Sequence, residues 1–145
     1  MSYIKIMFFA MLPVIELRGA IPLGISLELN PIGVYIFSVI GSTIVAIPII
    51  LMFRYVLEYL KNKKYLEKLT NNIEDKILKR SRKLKALNII GISLFVGIPL
   101  PTTGTWSAAA IASIFEMRIK YAILGIFLGN ALAGIIVSLV SLHII

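Results

Sequence analysis

The sequence predicts an all-α integral membrane protein of two inverted repeats, joined by a basic amphipathic helical linker. Each repeat is a re-entrant helical hairpin followed by a transmembrane helix. Three observations support this fold: an apolar composition, alternating broken and unbroken apolar stretches, and one basic segment between the halves. Of the 145 residues, 59% are hydrophobic. A water-soluble chain this short could not bury that much apolar surface, so lipid must cover much of it.

Two apolar stretches are unbroken and can cross a bilayer. They cover residues 29–53 and 121–145, and each has 25 residues without Asp, Glu, Lys or Arg. As helices they would reach about 37 Å, whereas the hydrocarbon core is about 30 Å thick. Each stretch therefore predicts one transmembrane helix.

Two further apolar stretches, residues 6–27 and 87–115, are interrupted by polar or helix-breaking residues. Each arm has about 10 residues, or roughly 15 Å of helix, which reaches the bilayer midplane and stops. This pattern predicts a helical hairpin that enters and leaves the membrane on one side. The predicted turn residues are Pro13, Gly19, Pro22, Pro99, Pro101 and Gly104.

The two halves resemble each other without gaps at an offset of 88 residues. The matches place Leu12-Pro13 on Leu100-Pro101, Glu28 on Glu116, Gly41 on Gly129 and Leu51 on Leu139. A hairpin plus one span gives each half an odd number of crossings, so the second half must be inverted. We predict one membrane domain, with repeat 1 at about residues 3–54, the linker at 55–86 and repeat 2 at 87–145. Inverted repeats with broken helices are typical of secondary transporters.

The basic residues are concentrated in the linker. Residues 54–85 hold eleven of the fifteen Lys and Arg residues and four acidic ones, a net charge of +7. Such a segment between apolar stretches predicts a cytoplasmic loop of a multi-pass plasma-membrane protein, facing anionic lipid. No base-reading or phosphate-binding motif accompanies the charge, so we expect no nucleic-acid partner. Apolar residues at helical spacing, from Leu66 to Leu84, predict an amphipathic surface helix.

Glu16 and Arg18 are the strongest candidates for function, because ionised groups at membrane depth are costly and need partners. Two residues apart, they do not share a helix face, but a turn could bring them together. They could form a structural ion pair that fixes the turn. Alternatively, they could form a substrate or proton site.

Thr102, Thr103 and Thr105 supply hydroxyl groups at the second break. They could satisfy the backbone that Pro99 and Pro101 leave unpaired, or they could line a pathway with Glu16 and Arg18. The helix after this break would point its positive end at the same centre, which favours an anionic group such as phosphate or carboxylate. We therefore expect the two breaks to lie together.

The remaining candidates favour structure over chemistry. Gly41, Gly125, Gly129 and Asn130 are predicted to pack helices, and Trp106 is either a packing residue or a plug in the pathway. The sequence has no cysteine and one histidine, and it contains no metal-ligand spacing or catalytic motif. We expect no enzyme activity, no metal and no cofactor.

Two motifs carry a family resemblance that extends over nearly the whole chain. Residues 12–24 read LPVIELRGAIPLG, and residues 99–109 read PLPTTGTWSAA. Both resemble the small multidrug export family, which looks like a distant relative of the DedA (VTT-domain) membrane proteins. The resemblance implies two opposed re-entrant hairpins and transport or lipid scrambling. Typical DedA proteins carry arginines around the second proline turn, where this chain has threonines.

The sequence thus favours a transporter or lipid flippase that moves a small or lipid-linked, anionic substrate between the hairpins, with proton coupling through Glu16. Membrane lipids, a proton or cation, and a second copy forming a homodimer are the expected partners. Two alternatives stay open: a non-transporting assembly or scaffold protein, and a small exporter of cationic drugs.

Topology separates the hairpin fold from an ordinary four-helix protein. With hairpins, Arg118 and Lys120 stay on the cytoplasmic side with the linker, and both termini lie outside. We expect an impermeant thiol reagent to label Ser2→Cys and Ile145→Cys on intact cells, but not Lys120→Cys. Permeabilised cells should label all three. Labelling of Lys120→Cys alone would rule out the inverted repeat.

Overall fold

The computed structural model describes residues 2–62 and 87–144, so the predicted linker helix between Leu66 and Leu84 lies outside the described residues. Within those two ranges the chain is all helical and has no strand, as the sequence predicts. The helices are α1 (Tyr3–Met11), α2 (Glu16–Ser26), α3 (Pro31–Lys61), α4 (Leu87–Gly97), α5 (Thr105–Ile114) and α6 (Ile119–Ile144).

The helices α3 and α6 are the two long ones, and both are apolar and long enough to cross a membrane. Asn30 caps α3 by accepting a hydrogen bond from the Ile32 amide at 2.9 Å, and Pro31 occupies the first helical position. α3 continues past the predicted span to Lys61, because a helix need not end at the membrane surface. The two predicted spans are confirmed by length and composition.

The short helix α1 runs in the same direction as α3. Near its start the Tyr3 ring stacks on Phe37, with 5.5 Å between ring centroids. Near its end the Ala10 carbonyl accepts a hydrogen bond from the Ser42 hydroxyl at 2.9 Å. α1 therefore ends beside the middle of the apolar part of α3.

The helix α2 returns towards the start of α3. A Cβ added to Gly24, near the end of α2, would lie 2.6 Å from the Val34 side chain, so the two helices touch there. The turn between α1 and α2 consists of residues 12–15 and includes Pro13. This pair of short helices thus begins and ends beside the same end of α3.

The sequence places Gly19 and Pro22 in the first turn, but both lie inside α2. Gly19 is needed within the helix because a Cβ there would lie 2.8 Å from Ile15 Cγ2. Pro22 removes one helical hydrogen bond, which neighbouring helices can offset in a packed membrane bundle. The turn is therefore shorter than the sequence predicts.

The second half has the same arrangement. Ser93 of α4 donates a hydrogen bond to the Gly125 carbonyl at 3.1 Å, and Gly97 packs against Leu132, so α4 runs parallel to α6. α5 starts at Thr105 beside the middle of α6 and returns towards its first residue. Helix α4 lies along the first half of α6, whereas α5 packs mainly against α3, where the Ser113 hydroxyl oxygen lies 3.3 Å from the Ile50 carbonyl oxygen.

The long helices α3 and α6 run antiparallel to each other. Along the two helices, Tyr35 lies beside Gly134 and Thr43 contacts Asn130. Further along α3, Arg54 contacts Met117, which lies just before the start of α6. Residue numbers rise along α3 while those of its partners fall. The two halves therefore pack with opposite chain directions.

Local backbone geometry repeats at the same offset of 88 residues as the sequence. Glu28 and Glu116 both adopt a left-handed backbone, with φ of 58° and 52°. Each follows the end of a short helix, where backbone bonds run from Leu29 to Gly24 and from Met117 to Ala112. This is the Schellman pattern, which satisfies the last carbonyls of a helix. The start of α3 at Pro31 is likewise matched by the start of α6 at Ile119.

Close packing at Gly129 has a matched control in Gly91. A Cβ added to Gly129 would lie 2.8 Å from the Ser93 carbonyl oxygen, whereas one added to Gly91 meets nothing within 4 Å. We expect Gly129→Ala to lower the free energy of unfolding by about 1–3 kcal/mol through overpacking. Gly91→Ala should raise it by roughly 0.5–1 kcal/mol through helix propensity. Denaturant titration in mixed micelles measures both, and equal effects would contradict the assigned packing.

Candidate functional site

The site is a buried ion pair at the first turn. The Arg18 guanidinium donates to the Glu16 carboxylate, with Nη1 and Oε2 3.0 Å apart. Glu16 adopts a left-handed φ of 46°, which takes it out of regular helical phase. That backbone allows two side chains two residues apart to meet, although a continuous helix would separate them. The Glu16 side chain is only 10% exposed, and the Arg18 side chain is 16% exposed.

Arg18 crosses to the second half and satisfies the end of α4. Its Nη2 atom donates to the carbonyl oxygens of Val96 at 3.1 Å, Ile98 at 3.3 Å and Thr103 at 2.9 Å. Proline residues at 99 and 101 stop the helix and leave its last carbonyls without helical partners. A cation is favourable at this negative end of a helix. Arg18 therefore closes a break that lies about 80 residues away in the chain.

Glu16 occupies the opposite end of the same break. Its Oε1 atom accepts a hydrogen bond from the Trp106 amide at 3.4 Å, in the first turn of α5. The first amides of a helix lack helical partners and favour an anion. A side chain at Gly104 would collide with the Glu16 carboxylate, so the glycine leaves room for it. One ion pair thus complements both helix ends that the second break creates.

The threonine hydroxyls are used mainly within the protein. Thr103 donates to the Ile98 carbonyl and also contacts Arg18, so it satisfies backbone at the break. Thr105 donates to Asn130 Oδ1 at 3.1 Å, and Asn130 donates to Thr43 at 3.3 Å. Thr102 differs, because it is exposed. The structure brings the two predicted breaks together, while the role of the threonines in a pathway stays a prediction.

The three packing glycines also contact neighbouring helices. Gly41 lies against the Met7 backbone, while Gly125 and Gly129 lie against α4. The sequence singled out these positions by their spacing, and the structure places them where the short helices approach the long ones.

Trp106 is the residue that sequence reasoning left undecided. It lies 88 positions after Arg18, and its indole Nε1 donates to the Met11 carbonyl at 3.3 Å, at the end of α1. Arg18 and Trp106 occupy equivalent positions, and each donates a hydrogen bond to the end of the first short helix in the other half: Arg18 to the end of α4, and Trp106 to the end of α1. Such reciprocal contacts are typical of a two-fold relation. The repeat offset, applied to position 18, was the signal that could have found this role.

The equivalence also shows where the halves differ. Position 16 corresponds to Gly104, so the second half has glycine and tryptophan where the first has the charged pair. The break in α4–α5 is held by an ion pair, and the end of α1 is held by a neutral indole. The site is symmetric in its backbone and asymmetric in its charge.

One comparison with known proteins bears on this site. The model of a family described as "Putative small multi-drug export protein" matches residues 16–136. This range begins at Glu16, directly after the first turn, and includes the second turn, all of α3 and most of α6. No curated protein and no solved structure gives a significant match.

The two equivalent donors should differ in their effect on stability. Arg18→Met leaves the Glu16 carboxylate buried without its cation, so we expect a loss of about 3 kcal/mol in the free energy of unfolding. Trp106→Phe removes one neutral hydrogen bond and should cost about 1 kcal/mol. Adding Glu16→Gln to Arg18→Met should recover part of the loss, since the two groups are coupled. Strictly additive losses would show that the pair does not interact.

Proposed function

Because the chain belongs to the small multi-drug export protein family, we propose that it is a multi-pass membrane transporter with its substrate path between the two turns. The observation that carries this proposal is the meeting of two helix breaks at one buried ion pair, half-way along both long helices. Broken helices at mid-membrane are where transporters of inverted repeats bind substrates and coupling ions.

The packing supports two re-entrant hairpins in inverted repeats. Each pair of short helices begins and ends beside one end of its long helix, and α3 and α6 run antiparallel. The contact between Arg54 and the Met117 carbonyl supports this topology most directly. If all four apolar stretches spanned the membrane, these residues would lie on opposite faces. In the hairpin topology both lie at the plasma-membrane face that holds the basic, cytoplasmic linker.

The charges favour a path lined by protein and water. Irregular backbone at membrane depth is tolerated only where protein or a water-filled cavity surrounds it. Residues 12–14 in the first turn are exposed, with Val14 93% exposed, and Pro101 and Thr102 are exposed in the second. Half-way along the spans, these turns would face such a cavity. Ionised groups at this depth are retained chiefly where they serve a substrate or ion.

The substrate would be a small or lipid-linked molecule with an anionic group. Arg18 would hold that group, Thr102 would add a hydroxyl, and Glu16 would carry the coupled proton. Within the described residues, Arg18 is the charged side chain in contact with Glu16. Protonation of Glu16 would therefore leave the Arg18 cation without its counter-ion, available to the anionic group of a substrate. A shared origin with the DedA proteins would extend this function to lipid flipping or scrambling.

Two observations bear on other functions. Arg18 bonds to three carbonyls inside the protein, which favours a scaffold protein in which the ion pair only locks the fold. Export of a cationic drug would require Glu16 to bind the drug, yet its carboxylate already has a cationic partner in Arg18. The pairing therefore favours an anionic substrate over a cationic one.

A flux assay tests the transport proposal. Proteoliposomes would carry a fluorescent phosphatidylglycerol for scrambling, or ethidium for drug export, with and without a pH gradient. We expect Glu16→Gln to remove the response to the gradient, because the amide cannot carry the proton. Glu28→Gln makes the same charge change at an exposed residue outside the site and should keep the response.

The scaffold function predicts the opposite result. Neither the wild type nor folded Glu16→Gln protein would then give flux above that of protein-free liposomes with either probe. Flux of ethidium alone, lost in Glu16→Gln, would instead identify a cationic-drug exporter.

A further inference from the structure

We propose that the Glu16 carboxylate is the resident occupant of an oxyanion site, and that the anionic group of the substrate enters by displacing it. The inference rests on the proposed transport function and gives that function a substrate chemistry. The anion-binding site at Arg18 is therefore not vacant, because the Glu16 carboxylate occupies it. In the structure the place of the substrate anion is already filled by the protein.

Each contact of the carboxylate is one that a free oxyanion would make. Oε2 accepts from the Arg18 guanidinium at 3.0 Å, and Oε1 accepts from the Trp106 amide at 3.4 Å. A guanidinium combined with the first amides of a helix is a general arrangement for carboxylate and phosphate groups.

The cation of the site stays in place without Glu16. Arg18 is fixed through Nη2 by the carbonyls of Val96, Ile98 and Thr103, whereas Glu16 is held through Nη1. Departure of the carboxylate would therefore leave a positioned guanidinium rather than a free side chain. Its Nη1 atom, which donates to Glu16 in the structure, would then be free to donate to the incoming anion. A binding group held in advance loses little entropy when the ligand arrives.

The space for an incoming anion lies where the second half lacks a side chain. The carboxylate occupies the position that a Cβ of Gly104 would take. Glu16 reaches it from a left-handed backbone, a conformation that a non-glycine residue adopts at some cost. Leaving the site would let this backbone relax while the glycine keeps the space open.

The ligand chemistry is a single compact oxyanion, either a carboxylate or a phosphate. The Nη1 group of Arg18 and the Trp106 amide donate to different oxygen atoms, which suits a group with two or three oxygen atoms. Both free small anions and the phosphate of a lipid headgroup share this chemistry. The source of the oxyanion is decided by experiment.

Removal of the resident carboxylate should create a binding site for added anions. We would purify wild-type, Glu16→Gly and Glu28→Gly protein in a neutral maltoside detergent and measure thermal unfolding midpoints. Glu28→Gly is a matched control, because it also removes a carboxylate from a left-handed residue but lies exposed outside the site. Acetate, inorganic phosphate and a short-chain phosphatidic acid would be compared with chloride at equal ionic strength.

We expect the midpoint of Glu16→Gly to rise in a saturable way with an oxyanion, by roughly 4 °C at ten times its dissociation constant. Wild type and Glu28→Gly should respond only at much higher anion concentrations, because the anion must first displace the Glu16 carboxylate. Glu16→Gln keeps the volume of the side chain and one of its two acceptor oxygens, so it should fold and fill the site without gaining anion binding. A response to acetate or phosphate identifies a free anion as sufficient, and a response to phosphatidic acid alone identifies a lipid headgroup.

Two results would overturn the inference. One is folded Glu16→Gly protein that shows no anion-dependent shift. The other is Glu16→Gly that fails to fold and is not restored by any of the three oxyanions during purification, while Glu16→Gln folds. Flux is measured separately, so the two proposals can fail independently. If the wild type transports but no oxyanion stabilises Glu16→Gly, the oxyanion site is rejected and the transport function is retained. Rescue without flux would keep the site and reject transport.

Discussion

The fold depends on how two interrupted helices satisfy their ends away from water. A helix end leaves carbonyl or amide groups without partners, and each such group is costly in an apolar medium. The break between α4 and α5 creates one end of each sign close together. The Glu16–Arg18 pair supplies the matching charges, so the charged groups and the broken backbone compensate each other. Without that match, both the ion pair and the break would be unfavourable.

This compensation also joins the two halves of the chain. Arg18 and Glu16 belong to the first half, while the carbonyls and amides that they satisfy belong to the second. Trp106 makes the reverse contact to the end of α1. The turns are therefore held by residues from the opposite half, and rearrangement of one turn must affect the other.

Small residues allow this arrangement within a bundle of so few helices. Glycines at equivalent positions, Gly41 and Gly129, let the first short helix of each half approach its long helix. Gly104 departs from the symmetry, because its counterpart is Glu16 itself. Two differences between equivalent positions, Glu16 against Gly104 and Arg18 against Trp106, give the centre its charged pair.

The sequence by itself determined the helical class, the two long apolar helices and the position of the second break, whereas the first turn lies at residues 12–15, before Gly19 and Pro22, which the sequence predicted to lie within it. These properties follow from composition, from apolar run length and from proline, all of which act locally. It could not determine the extent of α2 through Gly19 and Pro22, because tertiary packing offsets the cost of a helical proline. Nor could it show that Arg18 binds the end of α4 and that Trp106 binds the end of α1. Those partners lie 78 to 95 residues apart in the chain, and only the packing of the halves brings them within hydrogen-bonding distance.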